Sequence, residues 1–144
     1  MNHNFVLNAA RVSTALVLAL GLTASLLSPQ SSPVLICIMS LLVLGWNYSA
    51  PPVRLKERPV LDSLSNGVTC WLIWVCGYVS TGSPLLGSEA GKAASNGYFV
   101  VFYASAIHSL AALEDIKSDT AAKHRTIATA LGWKGVTAFS GLCL

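Results

Sequence analysis

The sequence predicts an all-α fold, a polytopic bundle of transmembrane helices, on three observations. Of 144 residues, 53% are hydrophobic and only 10% are charged, whereas a soluble domain carries roughly 25% charged residues. The mean hydropathy is +0.61. Charges are absent from Val12 to Val53, from Ser63 to Ser88 and from Ala93 to Leu113, and a membrane-crossing helix needs about 20 such residues. A surface this poor in charge suits contact with lipid.

The first uncharged tract has room for two helices and is broken at Ser28-Pro29-Gln30-Ser31-Ser32-Pro33, where proline cannot continue a helix. The pattern predicts helices over about 5–27 and 33–49, a third over about 61–81 that stops at Gly82-Ser83-Pro84, and a fourth over about 96–113. Leu131 to Leu144 begins like a fifth membrane helix but is too short to span, which gives about four full helices and the start of another. An apolar run that ends with no stop signal or flanking charge is expected of a fragment. Arg11 before Val12–Leu27 resembles a signal peptide. The long apolar segments that follow leave a membrane protein either way, and the tract reads as a retained helix.

Alternating these helices puts Arg11, the loop with Arg54, Lys56 and Arg58, and the loop with Lys117, Lys123, Arg125 and Lys134 on one side. Lys92 falls on the other. Basic loops stay cytoplasmic, so both basic loops are predicted there. The net charge of +3 is too small to argue for nucleic acid, and no basic cluster is interleaved with aromatics as a single-strand binder requires. Cys37, Cys70, Cys76 and Cys143 lie in apolar runs without a CxxC spacing and read as small buried hydrophobes. Trp46, Trp71, Trp74 and Trp133 fall near predicted helix ends and read as interface anchors.

Leu113 to Thr126 holds half of the acidic residues in the chain, Glu114, Asp115 and Asp119. Asp115 and Asp119 are four residues apart, one turn apart on the same face if the segment is helical. Two carboxylates so placed repel unless a cation lies between them. Mg²⁺ fits, since it takes one or two carboxylates together with substrate phosphates. Lys123, His124 and Arg125 follow closely enough to meet a phosphate's charge. The plainer reading is a solvated helix start with scattered charges.

The second informative loop is Tyr48 to Pro59. Pro51, Pro52 and Pro59 forbid a continuous helix. If the segment is extended, Arg54, Lys56 and Arg58 point to one side as a cationic comb. Alone, that comb is equally well read as positive-inside anchoring. With both loops on one side of the bilayer, one offers carboxylates for a metal and the other cations for phosphate oxygens. A diphosphate with a lipid tail suits such a place.

At these residues the chain resembles a family. Tyr48-Ser-Ala-Pro-Pro-Val-Arg-Leu-Lys-Glu-Arg-Pro59, followed by Leu61-Asp-Ser-Leu-Ser-Asn-Gly67, resembles the central loop of UbiA-type membrane prenyltransferases. Asp115-Ile-Lys-Ser-Asp119, with Ala121-Ala122, Arg125-Thr126, Ala128-Thr129 and Leu131-Gly132, is similar to their second aspartate-rich motif. The likeness is to the branch with lycopene elongases and chlorophyll-synthase-like enzymes, and it extends over about residues 5–144. It implies a part of a nine-helix fold. It also implies Mg²⁺-dependent transfer of a prenyl group from an allylic diphosphate to a lipophilic acceptor in the membrane. Carried onto this chain, Asp115 and Asp119 are the catalytic pair that holds Mg²⁺. Tyr48, Arg54, Lys56, Arg58, Lys123 and Arg125 are the candidate diphosphate-binding residues.

Three departures stand out. Met1–Arg11 contains no N-D-x-x-D motif, the family's first aspartate-rich motif, and helices after the seventh lack a counterpart, so residues 1–144 read as a partial domain. Mg²⁺ and prenyl diphosphate are then expected to bind this chain weakly or not at all. Thr120 stands where the family commonly has a basic residue, and Lys123 where it commonly has glycine. Asp62, four residues before Asn66, reads as a cap or dipole partner of its own helix, with a direct role toward substrate as the lesser reading, and His108 as a core or cavity histidine. The alternative to a prenyltransferase is a catalytically inactive membrane remnant kept for structure or interaction. A transporter has little support, because the acids lie beside basic residues in a loop and not mid-span.

Overall fold

The structure is a computed structural model that describes residues 3–29, 31–84 and 90–144, with side chains given outside 3 and 90–95. It is all-helical, with no strand among the described residues. The helices are α1 (His3–Leu27), α2 (Ser31–Ser49), α3 (Leu61–Ser80), α4 (Ala90–Ala111), the six-residue α5 (Ile116–Ala121) and α6 (Ile127–Cys143). A 3-10 turn at Leu55–Glu57 lies between α2 and α3. Lys92, expected on the side away from the other basic residues, falls outside the described side chains.

Helices α1 and α2 are long and apolar enough to cross a membrane. The Ser25 hydroxyl donates to the Ser31 carbonyl at 2.6 Å across the break between them, tying the end of α1 to the start of α2. α1 packs along α2, and its outer surface is apolar and open, with Phe5, Leu16, Leu20 and Leu26 all exposed. So are Ile73 of α3 and Phe99 of α4. Apolar patches of this extent mark a surface made for lipid or protein contact.

The interior has two apolar centres. Val34 and Cys37 of α2 meet Val75 and Val79 of α3, with Trp71, Trp74 and Tyr78 packed around them. Ile127, Ala128 and Val136 of α6 meet Val60, Leu113, Ile116 and Phe139. Trp71 and Trp74 are therefore packing residues, which corrects the reading of them as interface anchors. Their rings fill the space beside Gly97 of α4, where an added Cβ would lie 2.7 Å from Trp71 Nε1. Trp46 and Trp133 stay on the outer surface, 72% and 70% exposed. The cysteines are free thiols, Cys37 buried and the others half-buried.

Small residues let α3, α4 and α6 approach closely, as in membrane bundles. A Cβ on Gly67 would overlap both the Ser105 hydroxyl and the Val101 carbonyl of α4. Ser109 of α4 and Ser140 of α6 share a buried hydrogen bond of 2.8 Å. α4 begins earlier than its apolar stretch, and α6 begins at Ile127, before the apolar run that predicted it. α6 is also not one straight rod: Gly132, at φ 62 and ψ −174, interrupts it.

Candidate functional site

The end of α2, the 3-10 turn, the start of α3, the end of α4, α5 and the start of α6 surround a cavity of about 470 Å³. Tyr48 and Lys56 line it from the first loop, and Asp115 and Asp119 from the second. The two loops read from sequence as facing each other do meet here.

The acid motif folds as a short, closed unit. Asp115 precedes α5, and the Asp119 amide donates to the Asp115 carbonyl at 2.9 Å, so the two carboxylates sit one turn apart. At the other end, the Lys123 amide donates to the Thr120 carbonyl at 3.1 Å and the His124 amide to the Asp119 carbonyl at 2.8 Å. Lys123 has φ 58, the left-handed conformation that closes a helix in this way and that glycine usually supplies. The backbone thus keeps the shape the family's glycine implies, with a lysine bearing the steric cost. The Lys123 side chain is exposed and lies off the cavity wall, as does that of Arg125.

The basic loop does not form a comb, because it is not extended. The Arg54 amide donates to the Ala50 carbonyl, the Glu57 amide to Arg54 and the Arg58 amide to Leu55, each at 3.0 Å. Three residues per turn sends alternate side chains in different directions. Only Lys56 faces the cavity. Arg54 pairs with Glu57 at 2.5 Å, and Arg58 Nε donates to the Val53 carbonyl at 2.7 Å.

Glu57 and Thr126 are at the site without having been assigned to it from sequence. Glu57 Oε1 also lies 3.1 Å from His124 Nδ1. The Thr126 hydroxyl donates to Asp119 Oδ2 at 3.2 Å. Thr126 also starts α6 through reciprocal bonds with Thr129, whose hydroxyl reaches the His124 carbonyl at 3.0 Å. Asp62 is 1% exposed and accepts amide protons from Ser63 at 2.8 Å and from Ile127 at 2.7 Å. Asp62 thus lies in the first turn of its own helix, where its charge complements the helix dipole and takes the Ser63 amide, and it also takes the first amide of a different helix, which the sequence did not announce. Val60 occupies the cap position of α3 without a side-chain bond. His108 shares the cavity wall.

The lining has a definite electrostatic sign. Glu57, Asp62, Asp115 and Asp119 bring four carboxylates, and Lys56 brings one ammonium. With neutral histidines the sum is 1 − 4 = −3. Backbone amides compensate Asp62 and Arg54 compensates Glu57, which leaves Asp115 and Asp119 as the uncompensated pair. A bare polyanion would be repelled; a cation is attracted. Among the described residues no group of three or more His, Cys, Asp or Glu could hold a metal by itself.

Comparison with known proteins bears on this arrangement. The UbiA prenyltransferase family matches residues 3–144. Over 115 residues the chain is 40% identical to a lycopene elongase/hydratase of Halobacterium salinarum, covering 78% of this chain and 38% of that protein. Over 132 residues it is 34% identical to a lycopene elongase/hydratase of Haloarcula japonica, covering 90% of this chain and 42% of the relative. A lycopene elongase/hydratase of Corynebacterium glutamicum is 36% identical over 94 residues, with 65% of this chain and 31% of that protein covered. The chain thus spans less than half the length of these curated relatives. No solved structure matches the chain.

Proposed function

Since the chain belongs to the UbiA prenyltransferase family, we propose that its cavity takes part in transferring a prenyl group from an allylic diphosphate to a lipophilic acceptor inside a membrane. The relatives' names suggest lycopene as that acceptor. The helices are a multi-pass membrane bundle with both motif loops on the cytoplasmic side.

One observation carries the reading: Asp115 and Asp119, one turn apart, are the uncompensated charges of a cavity whose lining is net negative. Two carboxylates with hard oxygen donors suit Mg²⁺, which completes its shell with water and substrate phosphates. Asp115 and Asp119 would hold Mg²⁺, which would supply charge neutralisation for the diphosphate as a leaving group. Lys56 adds a fixed positive charge to the cavity lining. Tyr48, half-buried on the same wall, donates its hydroxyl to a phosphate oxygen. The apolar helices around the mouth keep bulk water from the allylic centre. Arg54, Arg58, Lys123 and Arg125 serve as a surrounding positive field that draws the anion in without touching it.

Calorimetric titration of the detergent-solubilised chain with Mg²⁺ and pyrophosphate tests this. Binding is expected only with both present, weak at roughly millimolar Kd, and lost in Asp115→Asn and Asp119→Asn. Metal-independent pyrophosphate binding, or variants that bind as the unaltered chain does, would overturn it.

A further inference from the structure

Asp62 is an unusual carboxylate: nearly sealed from solvent at the junction of α3 and α6, and held by two amide donors. Burying a charge is costly unless every lone pair in use has a partner. An apolar residue of similar size would serve packing alone as well or better. What the charge adds is direction, because it seizes the Ile127 amide, the first of the orphan donors of α6. Thr126, immediately before, is fixed in its turn by that bond and by its exchange with Thr129. Its single hydroxyl proton has two acceptors in reach, Asp119 Oδ2 at 3.2 Å and Thr129 Oγ1 at 3.4 Å. The carboxylate is nearer and charged, so it takes the proton.

A continuous line of contacts therefore runs from Asp62 through Ile127 and Thr126 to Asp119. We propose that Asp62 is a positioning residue: it pins the amino end of α6 so that Thr126 orients the Asp119 carboxylate toward the metal. The inference rests on the reading of Asp119 as a metal ligand. Each Asp62 oxygen holds an amide, and the role inferred for it is to position Asp119.

Mn²⁺, a spin-active substitute for Mg²⁺, provides the test. Its affinity for the detergent-solubilised chain in the presence of pyrophosphate is read by electron paramagnetic resonance, beside thermal unfolding followed by circular dichroism. Asp62→Asn keeps the shape but can accept only one of the two amides, and Thr126→Val removes the hydroxyl. Each should weaken Mn²⁺ binding about tenfold, the low end for partners of metal ligands. Because they act along one line, the double variant should bind no worse than the weaker single one. Thr126→Ser should restore the affinity. If Asp62→Asn loses its helical signal, Ile127→Pro replaces it. Proline suits the first helical position and the extended Thr126 before it (φ −86, ψ 172); it deletes that amide donor together with the buried Ile127 side chain, so Ile127→Ala, which keeps the amide, is its control and should bind Mn²⁺ as the unaltered chain does. Lower stability with Mn²⁺ affinity within twofold of the unaltered chain overturns the proposal and leaves Asp119 as a ligand. Unchanged binding in Asp119→Ala overturns the metal reading itself.

Discussion

His124 Nδ1 lies 3.1 Å from Glu57 Oε1, joining two loops that are 67 residues apart in sequence. The same carboxylate oxygen receives Arg54. Glu57 therefore ties the basic loop to the acid motif at the rim of the cavity, and it occupies a cation that would otherwise be open to phosphate.

Both bonds are partly exposed, with side chains 41% and 27% accessible in the arginine pair. Such pairs are worth at most about 1 kcal/mol. Glu57→Gln should barely move the thermal midpoint. Freed of its partner, Arg54 should tighten Mg²⁺-dependent pyrophosphate binding about twofold to threefold, the size of a few tenths of a kcal/mol. Weaker binding would mean that the tie between the loops matters more than the freed charge.

Lys56 and Arg58 should part company. Lys56 faces the cavity, whereas Arg58 spends its Nε on the Val53 carbonyl. Lys56→Gln should weaken pyrophosphate binding about tenfold, the loss of a charge-assisted contact of about 1.4 kcal/mol. Arg58→Gln should leave it within about twofold, the scale of a screened surface charge. Calorimetry with the two variants side by side distinguishes this from a comb in which both count equally.

Lys123 carries a left-handed backbone, which costs a residue with a Cβ about 1 kcal/mol or more. Lys123→Gly should raise the stability of the chain in detergent by about that amount, read as a higher thermal midpoint. A lower midpoint would show that α5 is not closed in this way.

Gly67→Ala should destabilise by about 1–3 kcal/mol, the usual effect of overpacking. Trimming the neighbour with Ser105→Gly should not rescue it, because the other obstacle is the Val101 carbonyl, part of the backbone. Rescue by that second substitution would show that α3 and α4 are more loosely apposed. Thermal unfolding of the three variants decides.

Much of this was legible in the residues. The uncharged tract broken at Pro29 and Pro33 announced α1 and α2, and the spacing of Asp115 and Asp119 announced one helical turn. Hydropathy misplaced the starts of α4 and α6: α4 opens on Ala90-Gly-Lys-Ala-Ala-Ser, which is helical without being strongly apolar, and the start of α6 is set by the cap at Thr126 and not by its apolar run. The threonine exchange that starts α6 pairs Thr126 with Thr129, where the usual signal is Glu or Gln. The comb failed because local amide bonds coil the segment after Pro52 into a 3-10 turn. The bond from Asp62 to Ile127 spans 65 residues, and no local pattern records it. Whether Tyr48, Lys56 and the acid pair would share one cavity depended on such tertiary contacts as well.

The break at Gly132 has a mechanical meaning. Residues 127–131 are moored to α3 and to the acid motif, while the stretch beyond the glycine is joined to them through a backbone that is not helical. Beyond the glycine the helix sets off on a new heading and is anchored a second time, by Val136 in the apolar centre and by the bond of Ser140 to Ser109 of α4, so each half of α6 keeps its own attachment to the bundle.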